Sequence, residues 1–116
     1  MKKSIKKKWI EALRSDKYKK CKHRLHSPRS KHAFCVIGVL CDLYAKERGA
    51  TWVKRDGGSF ILNTAIALPN DVAKWAGIKD SNLYVKHNDK TQQLISLNDD
   101  TNLSFKSLSN LIEEQL

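Results

Sequence analysis

Residues 33–63 read AFCVIGVLCDLYAKERGATWVKRDGGSFILN, and this stretch decides the fold. Its first part, Ala33 to Arg48, is apolar on nearly all sides and then amphipathic. Gly49 follows a cationic end, a common helix stop. The pattern predicts a buried central helix, with or without a short strand at its entry. Gly38 inside that helix costs about 1 kcal/mol against alanine unless close packing needs it. The second part places β-formers, Thr51 to Arg55 and Ser59 to Asn63, on both sides of Asp56-Gly57-Gly58, which is a hairpin signature. Antiparallel pairs packed by helices argue for α+β and against a parallel doubly wound sheet.

Towards the N-terminus, Ser4 has the chemistry of an N-cap, and Ile5, Trp9, Ala12 and Leu13 follow at helical spacing, predicting a helix from about Ser4 to Ser15. Asp16 to Lys31 shows no period, and Ser27-Pro28 marks a turn. That segment reads as an exposed loop or a weak hairpin, with Tyr18 and Leu25 its only bulky apolar anchors. Towards the C-terminus, Leu68-Pro69-Asn70 opens a short helix with Val72 and Trp75 inward and Gly77 at its end. A weaker hairpin runs from Leu83 to Lys86, turns at Asn88-Asp89 and returns through Gln92 to Ile95. Asn98 to Asn102 reads as a polar loop, after which Ser104 caps a last helix with Phe105, Leu108, Leu111 and Ile112 buried. The expectation is one compact domain over residues 1–116, with three to four helices packed on two antiparallel hairpins. It divides into a basic helix and loop (1–32) and a globular core (33–116).

The 116 residues are 41% hydrophobic and 29% charged, ordinary for a globular protein and unlike a disordered one. Cys21, Cys35 and Cys41 are an odd number, unlike the even sets of small secreted domains. The early lysines have no apolar h-region behind them, and the longest apolar run, Ala33 to Leu43, is broken by Asp42 and too short to cross a bilayer. These features predict a soluble cytoplasmic protein without a membrane partner.

The net charge of +10 is unevenly placed. Residues 1–32 hold 13 Lys and Arg against Glu11 and Asp16, whereas residues 33–116 hold 9 basic and 10 acidic groups. A cationic block of this kind is either a solvated face or a surface for an anion. Within it, Tyr18 is flanked by Lys17, Lys19 and Lys20, an arrangement suited to a nucleotide base stacked beside its phosphates. Arg24 and Arg29 would grip phosphate bidentately, and Lys19, Lys20 and Lys22 would act as point charges. Trp9, Trp52 and Trp75 each sit on an apolar stripe, so a core role outweighs base stacking.

Other constellations carry less. Cys21, His23, His26 and Cys35 have spacing C-x-H-x2-H-x8-C, but zinc sets favour two close pairs, and the cations around the histidines oppose a dication. No metal and no cofactor is expected. Cys35 and Cys41 read as small core residues. Cationic neighbours could lower the pKa of Cys21, yet no base is organised beside it. Asp99 and Asp100 read as part of a capping loop, and no P-loop, dinucleotide fingerprint or nucleophile elbow is present.

Trp9-Ile-Glu-Ala-Leu13-Arg-Ser15 with Tyr18 resembles the opening of a family of small proteins from tailed bacteriophages and prophages. The resemblance continues at Phe34-Cys-Val-Ile-Gly-Val-Leu-Cys-Asp-Leu43, at Leu68-Pro-Asn-Asp-Val72 with Trp75-Ala-Gly77, and at Leu97-Asn-Asp99, Phe105 and Ile112-Glu-Glu-Gln-Leu116. The sequence departs from that pattern at Asp16, Cys21, His23 and Asp100, where glycines are expected. The resemblance implies an origin and not a mechanism; phage accessory genes of this size most often act against host defence or host regulation.

The reading is a non-enzymatic phage accessory protein that sequesters a phosphate-bearing ligand, such as a nucleotide signal of host defence, at Tyr18, Lys19, Lys20, Lys22, Arg24 and Arg29. A homo-oligomer that builds its pockets between subunits would fit a chain this small. The alternatives are a nucleic-acid binder and an inhibitor docking an acidic host protein.

Overall fold

The apolar run after Ala33 does form the central helix. In this computed structural model, which describes residues 1–80 and 82–116, the elements are α1 (Lys3–Arg14), β1 (Lys19–Lys20), β2 (Ala33–Phe34) and α2 (Val36–Arg48). They continue with β3 (Val53–Arg55), β4 (Gly58–Phe60), α3 (Asn70–Ala76), β5 (Tyr84–His87), β6 (Lys90–Gln93), α4 (Leu94–Asp100) and α5 (Phe105–Gln115). The class is α+β. Among the described residues there are five helices and three separate two-stranded sheets, not three or four helices on two hairpins.

Helix α2 lies at the centre because Val36, Val39, Leu40 and Cys41 have no exposed surface, and α1, α3 and α4 all pack on it. Its orphan N-terminal donors are met from two sides. The Cys35 sulfur accepts from Gly38 N at 3.3 Å, and Asn98 Oδ1 accepts from Val36 N at 3.0 Å. Gly49, at φ 75°, ends the helix by donating to the Ala45 carbonyl.

Gly38 is needed for a close approach. A Cβ there would sit 2.6 Å from the carbonyl carbon of Leu25 and closer still to its oxygen. That carbonyl accepts from Cys35 N at 3.0 Å, so the basic segment is sewn against the first turn of α2.

The segment 16–31 is therefore not an exposed loop throughout. Leu25 is fully buried and His26 only 7% exposed. Nor is it a hairpin. Strand β1 pairs with β2 in parallel, Lys19 opposite Ala33 and Lys20 opposite Phe34, while His26 bridges Phe34 from the other side.

Three further expectations are corrected or shortened. Ser4 lies inside α1 and does not cap it; the helix begins earlier because Lys2 N donates to the Ala76 carbonyl at 2.8 Å, docking the chain start on α3. The β5–β6 hairpin turns at Asn88-Asp89, both at positive φ, but stops at Gln93. From Leu94 the chain is helical, since Leu94, Leu97 and Asn98 share one buried face at i, i+3 and i+4. The β3–β4 hairpin forms at Asp56-Gly57 with three-residue strands, and Ser104 caps α5 as its sequence predicts, accepting from Ser107 N at 3.1 Å. Helix α5 packs on α1, where Arg14 reaches Ser109 at 3.0 Å and Asn110 at 2.8 Å.

Candidate functional site

Where β1, β2, α2 and the loop before β3 meet, they leave an open cleft of about 520 Å³. That volume suits a small ligand. Its floor and walls are Tyr18, His26, Phe34, Asp42 and Trp52, and its rim is Asp16, Lys17, Lys19, Lys31, His32 and Lys46.

Phe34 is the hub. The His26 ring stacks on it with centroids 4.2 Å apart, and Tyr18 and Trp52 meet its edges at 5.2 and 5.6 Å. One carboxylate fixes the two outer aromatics. Asp42 Oδ2 accepts from the Tyr18 hydroxyl at 2.6 Å, and Oδ1 accepts from Trp52 Nε1 at 3.0 Å. One turn on, Lys46 pairs with Asp42 at 3.2 Å and donates to Tyr18 at 3.2 Å. The helical i, i+4 spacing brings that cation over the acid.

These contacts shape the acid–base state of the cleft. Burial, and then the hydrogen bond to Asp42, raise the Tyr18 phenol above its usual range, so it stays a donor. The hydrogen bond to Tyr18, then Asp42, raise Lys46 against its desolvation. Burial holds His26 below the ordinary imidazole range.

Of the six predicted contact residues, the structure brings Tyr18 and Lys19 into this cleft. Successive side chains of a strand point to opposite faces, so Lys20 turns away from Lys19. Its ammonium donates to the Leu103 carbonyl at 2.7 Å and the Thr101 carbonyl at 3.3 Å, a structural tie. Burial, then the neighbouring Lys22, lower the pKa of Lys20. Lys22 and Arg24 are exposed on the His23–Asp99 side, and Arg29 is exposed at the turn after Pro28; none of the three lines the cleft.

The other floor and wall residues, His26, Phe34, Asp42 and Trp52, were missed, as were the rim residues Asp16, Lys17, Lys31, His32 and Lys46. Of the first four, Asp42 alone left a local signal, as a lone carboxylate in an apolar helix. Trp52 packs against the core as expected but also lines the cleft, whereas Trp9 and Trp75 are buried, donating to the Val36 carbonyl and the Glu47 carboxylate.

The remaining polar constellations are structural. Burial pushes the Cys35 thiol up to about 12 and raises Cys41 as well. Cys21 is also raised, because burial outweighs the nearby Arg24, which corrects the expectation of a lowered thiol. His23 N donates to Asp99 at 3.0 Å, and Asp99 also accepts from Asn98, so Asp99 braces the basic segment. Among the described residues, no three His, Cys, Asp or Glu side chains converge as metal ligands. Among them also, no helix is long and apolar enough to cross a membrane.

Fold and cleft together define a small α+β domain with an aromatic-lined, lysine-rimmed cleft. The chain belongs to the family described as a domain of unknown function (DUF8296), whose model matches residues 1–116. No curated protein and no solved structure matches it.

Proposed function

We propose that the cleft binds a small anionic ligand carrying a flat ring and a phosphate group, a nucleotide, and holds it without reaction. The observation that carries this reading is the placing of Tyr18 and Trp52 on one carboxylate beside cations that have no acidic partner. Among the described residues, Lys17, Lys19 and Lys31 make no ion pair. Four cleft lysines stand against Asp16 and Asp42, an excess of two positive charges. Half-buried aromatic faces favour the ring of the ligand, and the lysines favour its phosphate.

Binding without chemistry is favoured because no nucleophile candidate is both exposed and activated. Ser59 touches His26 but is 1% exposed, and burial has raised all three thiols. Taken with the resemblance to tailed-phage proteins, this makes sequestration of a nucleotide signal the biological reading.

A second reading rests on cations outside the cleft. Lys22, Arg24 and Arg29 are exposed and free of ion pairs among the described residues, a pattern that suits nucleic acid. Mass spectrometry of material released from denatured protein, beside duplex titrations at several salt concentrations, separates the two. Released nucleotide, with weak duplex binding, supports the cleft. About six phosphate contacts would instead give a log affinity–log salt slope near −5. Neither result would leave docking to an acidic protein.

A further inference from the structure

Among the described residues, the cleft wall holds a buried side-chain nitrogen without a well-formed hydrogen bond. His26 Nδ1 is 2.8 Å from Ser59 Oγ, while Nε2 is buried and unpaired. The imidazole lies flat on Phe34 and tilts against Trp52 at 4.9 Å, so water cannot compensate either nitrogen freely. The ring is held in the wall with little water around it, and a cation there would be desolvated.

The charged and titratable groups around the ring come from four directions. Helix α2 supplies Asp42 and Lys46, and β3 supplies Lys54. The turn before β2 supplies Lys31 and His32, and the α1–β1 segment supplies Asp16, Lys17, Tyr18 and Lys19. From β4 only the neutral Ser59 reaches it. Of these groups, Asp42 favours a positive imidazole and Lys54 opposes it, the Asp42 effect being the larger, and burial outweighs both. The backbone of Lys31 and Ser30 favours the cation but does not overcome burial. A bound anion in the cleft adds its negative charge to that of Asp42 near the ring, and so further favours the imidazolium.

Building on the reading that the cleft takes a phosphate-bearing ligand, we propose that anion binding is coupled to uptake of a proton by His26, so that the site binds its ligand more tightly as pH falls. The coupling is reciprocal. An anion that stabilises the imidazolium must bind the protonated cleft more strongly by the same factor. The gain is absent while His26 is neutral in both states, and it is complete once His26 is protonated in both.

The test uses sulfate, whose charge is constant across the range, titrated into the intact protein. Between about pH 7.5 and about pH 5.5 the wild-type affinity should rise about threefold to fivefold, part of the roughly tenfold that one pH unit of coupling gives once His26 is protonated in both states. Calorimetry in two buffers of different ionisation enthalpy should show net proton uptake near pH 6, a fraction of one proton. His26→Gln should remove the rise, and His32→Gln should keep it. Should His26→Gln fail to fold, the wild-type His26 imidazole resonance decides, since its midpoint must move up when sulfate saturates the site. A pH dependence that survives His26→Gln, or a midpoint unmoved by sulfate, overturns the coupling and leaves the anion site standing. If neither sulfate nor AMP binds at any pH, the cleft reading itself fails and the coupling falls with it.

Discussion

Replacing Gly38 by alanine should destabilise this protein, although the same change in most helices would help. In an open helix, alanine gains about 1 kcal/mol over glycine by propensity and by restricting the unfolded chain. Here the new methyl would lie 2.6 Å from the carbonyl carbon of Leu25 and 3.1 Å from its Cα. Backbone cannot rotate aside as a side chain can. Relief requires the Leu25 carbonyl to retreat, which breaks its 3.0 Å bond from Cys35 N and strains the 2.8 Å bond from Leu25 N to Ala65. The lost hydrogen bond costs about 1 kcal/mol. Partial withdrawal of the fully buried Leu25 side chain costs up to about 1.5–3 kcal/mol. Less the helix gain, the net is a loss of up to about 1.5–3 kcal/mol. Urea unfolding followed by tryptophan fluorescence measures this, with an unchanged slope and a lower midpoint expected. Because Leu25 carries His26 into the cleft wall, sulfate and AMP affinity should fall together with stability. A Gly38→Ala protein as stable as the parent would refute the argument that the basic segment is packed on α2.

Asp42→Ala should leave the Tyr18 hydroxyl and Trp52 Nε1 without their acceptor, with a loss of about 2–3 kcal/mol by urea unfolding and a changed Trp52 emission; Asp42→Asn should be milder. Folding stability should decline as pH falls. The folded pKa of His26 lies below the unfolded value of about 6.5, so the unfolded chain binds the proton more tightly and the His26 contribution is intact only above that pH. Urea midpoints at several pH values should show this decline in the wild type and a smaller one in His26→Gln. Native alkylation should label Cys21 first, with Cys35 and Cys41 reacting only on unfolding, as mass mapping of the adducts would show. Replacing Lys17 and Lys31 together by alanine should weaken AMP binding about tenfold by calorimetry, whereas Arg24→Ala and Arg29→Ala should leave it within about twofold.

What the sequence made legible was local. The Ser104 cap, the Asp56-Gly57 and Asn88-Asp89 turns, and the Gly49 and Gly77 helix ends each depend on a few adjacent residues, and all form where their chemistry predicts. Helix α4 escaped because Gln93 offers no side-chain cap and the preceding residues pair as a strand, so only burial of Leu94, Leu97 and Asn98 defines it. The parallel pairing of Lys19-Lys20 with Ala33-Phe34 joins segments 14 residues apart, and no short-range pattern encodes it. The cleft shows the same division. Tyr18 and Lys19 stood out inside the cationic block, but their partners arrive from β2, α2 and the loop before β3. Lys20 and Lys19 look alike in sequence, and only the strand's alternation sends one to the cleft and the other to the Leu103 carbonyl.

The three indole N–H groups report on the central claim separately. Trp9 is bonded to Val36 in the core, Trp75 to Glu47, and Trp52 to Asp42 in the cleft wall. In a nitrogen–proton correlation spectrum recorded during titration with AMP, the Trp52 signal should move and saturate while those of Trp9 and Trp75 stay fixed. Saturable AMP binding that leaves the Trp52 signal in place, or moves all three alike, would contradict the cleft as the site.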